Sequence, residues 1–512
     1  MDNGLHASFA LVLAGILVYW FRERSKGSQV PLPPGPPSLP ILGNVLDIPP
    51  TEPWITYKQW GAKYGDVFRV RLLTENAIVL NSLETAKLLL EQRSHIYSSR
   101  PHLAVIDLLG TNWNTGFLPY GDKLRLQRKV FQPALRAEGV VVHRPIQLRR
   151  ARELVKNLLE GPSEYKEHFE MHATSIIMSA AYDYHPAARD DPVVTKIQTV
   201  LSTLIKLVTP EFSAVINAFP WLIYLPAWFP GATFQRTAAS FRASLGMWVD
   251  EPFEYVRKKA SDGSLGPCMV GDALAQISED DTNAQEVQQA IKEAAAATFG
   301  AGSETTASAL QIFVLAMTLY PEVQKRAYKE IETLVGSKRL PNFCDRPRLP
   351  YIEAVLRETL RWHPVTPLSL PHSTTQDDIY QGYMIPQGVT IIANVWAMTH
   401  DENKYANPST FNPDRFFDDS GALNNDTVSY IFGFGRRICT GRYLADASLW
   451  SAMVTLLAAV EFQDPDSNGL EAQAQRMPRF TTALTSKPES FNVRVLPRFD
   501  AEELAALLKA DD

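Results

Sequence analysis

The sequence predicts a single large, mainly α-helical domain with small β-sheets, set behind an N-terminal membrane-spanning segment. Three observations lead there. A helical pattern of about ten turns runs from Asp281 to Pro321. The β signals are short and scattered, at 67–72, 77–80, 383–394 and 491–496. An apolar run, Leu5–Phe21, opens the chain and stands apart from everything after it.

The 512 residues are 45% hydrophobic and 21% charged, a globular composition that excludes disordered and fibrous classes. A net charge of −6 lacks the basic surface that phosphate neutralisation requires, so nucleic acid is excluded as a partner. Three cysteines, Cys268, Cys344 and Cys439, cannot frame a chain of this length with disulfides. Cys268 and Cys344 are expected to behave as small buried hydrophobes.

Leu5–Phe21 is about as short as a spanning helix can be. Tyr19, Trp20 and Phe21 suit an interface, and Arg22, Arg24 and Lys26 follow at once. The positive-inside rule then keeps the C-terminal side in the cytoplasm. A cleaved signal peptide would want basic residues first and a small-residue cleavage site after, and neither is present. Residues 1–26 are therefore expected to be an anchor with its basic flank. Residues 27–44 carry PLPPGPPSLPILGN, a stiff extended spacer that cannot continue a helix. One mixed domain follows over 45–500, with a tail at 501–512. Val67–Leu72 and Ala77–Leu80 alternate like a hairpin, and Asn81 with Glu84 is placed to cap the next helix. Pro210–Gly231 is apolar but broken by Pro220, Pro226 and Pro230. It is either a buried loop with a short core helix or a surface that dips into lipid.

The most informative string is FGFGRRICTG, Phe432–Gly441, just before a long helical pattern. A cysteine at a loop-to-helix junction is well built to hold a thiolate, because the amides there stabilise negative sulfur. Gly435 permits a tight turn, Gly441 lets the helix approach something flat, and Arg437 adds a cation. In the Asp281–Pro321 pattern, Gly300 and Gly302 each cost about 1 kcal/mol against alanine. Close packing or a local distortion must compensate. Glu304 and Thr305 follow, and an acid beside a hydroxyl can relay protons. In LPYIEAVLRETLRWHP, Glu358 and Arg361 stand three apart and can meet. Glu254 and Arg257 have the same spacing, so spacing alone does not single out the first pair.

The FxxGxRxCxG pattern resembles the haem-binding signature of the cytochrome P450 family, with Thr440 where proline is common. The resemblance implies haem b with the Cys439 thiolate as axial iron ligand and Phe432, Gly435, Arg437 and Gly441 around it. AGSETT then resembles the family's oxygen-binding helix. Ala301 and Gly302 would face the haem, Thr305 would hydrogen-bond dioxygen, and Glu304 would help deliver protons. Ala297, Thr298 and Ala301 would face substrate. Glu358, Arg361 and Arg415 of FNPDRF would form a buried structural charge triad. His372 and Arg128 match propionate partners, although Leu124 stands where the family has tryptophan.

The likeness to microsomal, class II, fungal secondary-metabolite members implies an endoplasmic reticulum enzyme, single-pass, with its catalytic domain facing the cytoplasm. Electrons would come from NADPH through a separate reductase, with cytochrome b5 as a further donor. The reaction would be hydroxylation or epoxidation of a small apolar molecule, a terpenoid before a polyketide or aromatic. The pocket would draw on Val105, Ile106, Leu108, Leu109, Val365, Leu368, Leu370 and Phe480. Two other classes stay open, a haem-thiolate isomerase or dehydratase that needs no dioxygen, and a non-catalytic haem- or lipid-binding membrane protein. The Glu304/Thr305 pair weighs against both.

Overall fold

The computed structural model describes residues 30–509 except 74, 209, 279–281 and 466–478. The expected anchor at 1–26 lies outside them. Among the described residues no single helix is long and apolar enough to cross a membrane.

The architecture is built around one helix, Ala284–Leu319, which packs against Tyr165–Tyr182, Asp122–Leu135 and Arg442–Ala459. Its run of alanines, Ala294–Ala297, is buried; alanine has the best helix propensity and leaves room for close neighbours. The helix is continuous through both glycines, so packing rather than distortion accounts for them. A Cβ on Gly300 would stand 3.1 Å from the Trp248 ring, and one on Gly302 would stand 3.3 Å from Ile177. The Trp248 indole N–H donates to the Ala296 carbonyl at 3.0 Å, fixing the ring over Gly300. Tyr320 ends the helix and Pro321 begins the next.

Two large apolar clusters divide this helix between them. Its C-terminal half packs with Ile352, Val355, Leu356 and the Arg442–Ala459 helix. Its N-terminal half packs with Ile176, Ile177, Leu201, Phe241 and Trp248. The residues read as a C-terminal tail form a helix, Ala501–Lys509, whose Leu504, Leu507 and Leu508 are buried in the first cluster.

The strands are β1 (Val67–Leu72), β2 (Glu75–Leu80), β3 (His372–Ser373), β4 (Asp378–Tyr380), β5 (Tyr383–Ile385), β6 (Thr390–Ala393), β7 (Val460–Gln463) and β8 (Arg494–Pro497). The main sheet runs β1-β2-β6-β3, with β1 and β2 the expected hairpin and β6 parallel to β2. The β signal at 383–394 is two strands in different sheets, since β5 pairs with β4. The helix after β2 is capped by Ser82, which accepts from the Thr85 amide, and not by Asn81. Asn81 instead donates to the Tyr57 carbonyl at 2.7 Å, tying the sheet to the Pro53–Tyr64 helix. The Pro-rich segment bridges two sheets, its Pro34 carbonyl accepting from the Arg69 amide of β1 and its Pro31 carbonyl from the Met384 amide of β5.

Candidate functional site

The cysteine loop is held by its own backbone. The Cys439 amide donates to the Phe432 carbonyl at 2.8 Å, and the Arg437 and Ile438 amides close a short turn on Phe434 and Gly435. Gly435 has φ +52°, and a Cβ there would lie 2.1 Å from the Leu90 carbonyl oxygen. Only glycine lets the loop press so closely on the 87–92 segment. A Cβ on Gly441 would meet only the Cys439 sulfur, at 4.0 Å, so the helix start leaves the face beside the sulfur open. Phe432 is half-buried and packs against the core behind the loop.

Cys439 is exposed by area, yet burial pushes its thiol pKa up. The sulfur therefore looks into an internal cleft rather than bulk solvent. The amides of Gly441 and Arg442 and the cations of Arg128 and Arg442 act in the opposite direction, favouring thiolate. Of the other cysteines, Cys268 is buried, with burial holding its pKa up at about 11. Cys344 is exposed, against expectation, in the turn before the Arg346–Arg348 segment.

Above this loop three guanidinium groups converge. Arg437 is buried and donates to the Ser98, Thr115 and Leu118 carbonyls. Arg128 donates to the Ile438 carbonyl at 3.0 Å. Arg100 donates to the carbonyls of Gly116, Leu370 and Pro371. Burial, then repulsion from Arg437 and Arg128, pulls Arg100 down to about 9. Burial, then Arg128, pulls Arg437 down to about 10. Among the described residues none of the three forms an ion pair. Buried cations met only by carbonyl dipoles are costly, and the arrangement fits a group that brings two carboxylates. Haem, with two propionates and an iron that takes a thiolate, is such a group.

Arg100 escaped the sequence reading, since its only signal is a lone charge in the stretch IYSSRP. His372 is buried in the same place, with Nδ1 2.7 Å from the Tyr97 carbonyl. Burial first, and then Arg100, pushes it down to about 3. It is thus a neutral ring of fixed orientation, where the sequence suggested a basic one. A carboxylate beside Nε2 would raise it again. Leu124, in place of tryptophan, is buried and turned into the core.

On the long helix, Ala301 is exposed, and Gly300, Gly302, Glu304 and Thr305 are half-buried. Thr298 is half-buried and Ala297 buried. The Thr305 hydroxyl donates to the Ala301 carbonyl at 2.8 Å, and Glu304 accepts from the Thr485 hydroxyl at 2.7 Å. Val365, Leu368, Leu370 and Phe480 are partly exposed. Val105, Ile106, Leu108 and Leu109, expected to line the pocket, are packed into the second core cluster by the Ala104–Leu109 helix.

Glu358 and Arg361 are fully buried and paired twice, at 2.7 and 2.8 Å, and Arg415 meets the same carboxylate at 3.2 Å. The Asn412 amide adds a fourth bond to it at 2.7 Å. Glu254 and Arg257 pair on the surface with both side chains more than half exposed. Burial separates what spacing could not.

A cleft of about 570 Å³ opens between the Pro-rich segment at Leu32 and Pro33, the main sheet at Arg69 and Ile78, and Asn217 with Pro220. Beside it Pro210–Gly231 presents Trp221, Tyr224, Trp228 and Phe229 to the outside. The segment divides between the two expectations: the short helix Pro210–Ala218 buries Ile216, with Phe212 and Ile223 packed against the second cluster, while the aromatics after it face outward.

The model of the family described as Cytochrome P450 matches residues 33–493. Cytochrome P450 monooxygenase ple1 of Rhodocybe pseudopiperita is 35% identical over 495 residues, covering 95% of this chain and 94% of that one. Cytochrome P450 monooxygenase 98 of Postia placenta is 35% identical over 95% of this chain and 94% of its own length. Cytochrome P450 monooxygenase claR of Ampulloclitocybe clavipes is 34% identical over 94% and 89%. With a thiolate loop, uncompensated arginines and a buried charge triad in one helical body, the chain belongs to the cytochrome P450 family of haem-dependent monooxygenases.

Proposed function

We propose that this enzyme is anchored in the endoplasmic reticulum membrane and hydroxylates or epoxidises a mostly apolar small molecule of fungal secondary metabolism, a terpenoid first. Its electrons come from NADPH through a separate reductase. The observation that carries the reading is the set of three guanidinium groups above the Cys439 loop, Arg437 buried and Arg100 and Arg128 half-buried, without ion-pair partners among the described residues.

In this reading Cys439 ligates the haem iron, and Arg100, Arg128, Arg437 and His372 hold the propionates. Bound haem with a thiolate ligand supplies dioxygen activation and O–O cleavage. The chain supplies the rest. The Phe432 carbonyl aims the cysteine, and Arg128 with Arg442 favours its anionic form. Glu304 passes protons toward Thr305, whose hydroxyl needs only to leave the Ala301 carbonyl to donate into the site. Val365, Leu368, Leu370 and Phe480 exclude water and favour an apolar substrate.

Arg125 and Arg436 both stack on Tyr120 and stand exposed beside the cysteine loop, a basic face suited to an acidic electron donor. The Arg22, Arg24 and Lys26 flank keeps the catalytic domain in the cytoplasm. The exposed aromatics Trp221, Tyr224 and Trp228 form a second membrane contact, beside a cleft through which a lipid-dissolved substrate enters.

The test is co-expression of the full chain with a fungal reductase under labelled dioxygen, with metabolites compared against Cys439→Ala. A product carrying one labelled oxygen, made only with NADPH and intact Cys439, is expected. Turnover without NADPH would overturn the reading in favour of an isomerase or dehydratase.

A further inference from the structure

The turn from Phe480 to Pro488 is held at several points. Its ends pair as a β-bridge, and the Thr481 amide donates to the Lys487 carbonyl at 2.9 Å. The Ser486 hydroxyl donates to the Thr481 carbonyl at 2.8 Å, and its amide to the Val365 carbonyl at 2.7 Å. His363 Nε2 lies 2.8 Å from the Ser486 hydroxyl, while the His363 ring stacks on Phe480 at 3.5 Å between centroids. The Thr482 hydroxyl accepts from the Glu52 amide at 2.9 Å. Against this fixed frame, buried Thr485 reaches 181 residues back along the sequence to Glu304 on the long helix.

The 2.7 Å bond from a hydroxyl to a carboxylate is charge-assisted. Glu304 has three rotatable side-chain bonds and is only half-buried, so without a partner it would sample several rotamers. A group that hands on a proton must stand within hydrogen-bond reach of the next carrier. The rotamer that Thr485 selects therefore decides whether Glu304 serves the site beside Thr305.

We infer that Thr485 is a positioning residue for Glu304, so that the turn bearing Phe480 sets the orientation of the acid on the long helix. The inference rests on the proton role proposed for Glu304. It makes proton supply sensitive to whatever displaces the turn, and a substrate pressing on Phe480 is the first candidate.

Thr485→Val removes the donor at nearly constant shape, Thr485→Ser keeps it, and Glu304→Gln removes the acid. Two readouts are taken on the full-length, haem-loaded protein. The first is infrared difference spectroscopy of the Glu304 carboxyl band, assigned by its loss in Glu304→Gln. The second is substrate-free NADPH oxidation with reductase, read as hydrogen peroxide formed per NADPH and as the solvent deuterium isotope effect. The band should shift in Thr485→Val and stay in Thr485→Ser. Thr485→Val should change the isotope effect or the peroxide fraction at least twofold, with no further change when Glu304→Gln is added, and Thr485→Ser should match the parent. A loop brace without a positioning role predicts lower thermal stability and a shifted band, but an unmoved isotope effect and peroxide fraction, which overturns the inference. If Glu304→Gln alters turnover while Thr485→Val is silent, the positioning role alone falls. If Glu304→Gln is itself silent, the proton role falls and the inference with it.

Discussion

Replacing Glu358 by alanine strands Arg361. That guanidinium is fully buried, and Glu358 is the one carboxylate it pairs with among the described residues. Two of its nitrogens lose bonds of 2.7 and 2.8 Å, and Arg415 and the Asn412 amide lose the same acceptor. What remains for Arg361 is the Thr399 carbonyl at 2.9 Å, the Thr410 carbonyl at 3.4 Å and the face of Tyr405. His400 offers no help, since burial and then Arg361 itself hold it neutral, with its pKa down at about 2. An uncompensated buried charge of this kind costs about 3–5 kcal/mol, against a total stability on the order of 5–15 kcal/mol. Glu254→Ala cuts the surface pair of identical spacing and should cost about 0.5 kcal/mol or less. The assay is the urea unfolding midpoint together with the fraction of protein that retains haem. Glu358→Ala should lower both strongly and Glu254→Ala neither. Equal, mild losses in the two variants would refute the reasoning from burial.

Arg100→Leu should lower haem retention about as much as Arg437→Leu, measured as haem per polypeptide after dilution; unchanged retention would remove Arg100 from the propionate site. Deleting residues through Lys26 should release most protein from membranes, and adding Trp221→Ser, Tyr224→Ser and Trp228→Ser should release what still pellets. A truncated protein that pellets as fully as the intact one would contradict the anchor. His172 and His363 are buried and held neutral, with pKa values down at about 4 and 3. The unfolded chain protonates both near pH 6.5 while the native state does not, so stability is fully present above that pH. It should fall as the pH drops toward 4, by up to about 1.4 kcal/mol per unit for each group. A urea midpoint constant between pH 7 and 5 would contradict this.

The sequence carried the fold class because its strongest signals are local. The long helix announces itself by period and stops just before Pro321, and the hairpin of β1 and β2 by alternation. The cysteine loop was legible for the same reason, as its glycines, arginine and cysteine lie within ten residues. What stayed hidden depends on contacts between distant segments. Arg100 matters through Arg437 and Arg128, neither of them near it in sequence. Thr485 acquires meaning only through Glu304. His372 was found by position, but its neutral state follows from burial that no local pattern encodes. The short helix at Ala104–Leu109 buried four residues that read as pocket lining, because an apolar side chain serves a core and a pocket equally well. Asn81 and Ser82 show the same limit over a single residue, since both suit a cap and it is distant partners that occupy Asn81, the Tyr57 carbonyl at its amide nitrogen and the Asn394 side chain at its oxygen.

The central claim is that Cys439, and neither other cysteine, binds haem iron as thiolate. The most direct measurement is the absorption spectrum of the reduced protein under carbon monoxide, for the parent and for Cys439→Ala, Cys268→Ala and Cys344→Ala. The strongly red-shifted Soret band of thiolate ligation should be present in the parent, persist in the Cys268 and Cys344 variants, and vanish in Cys439→Ala. An unchanged band in Cys439→Ala would contradict the account at its root.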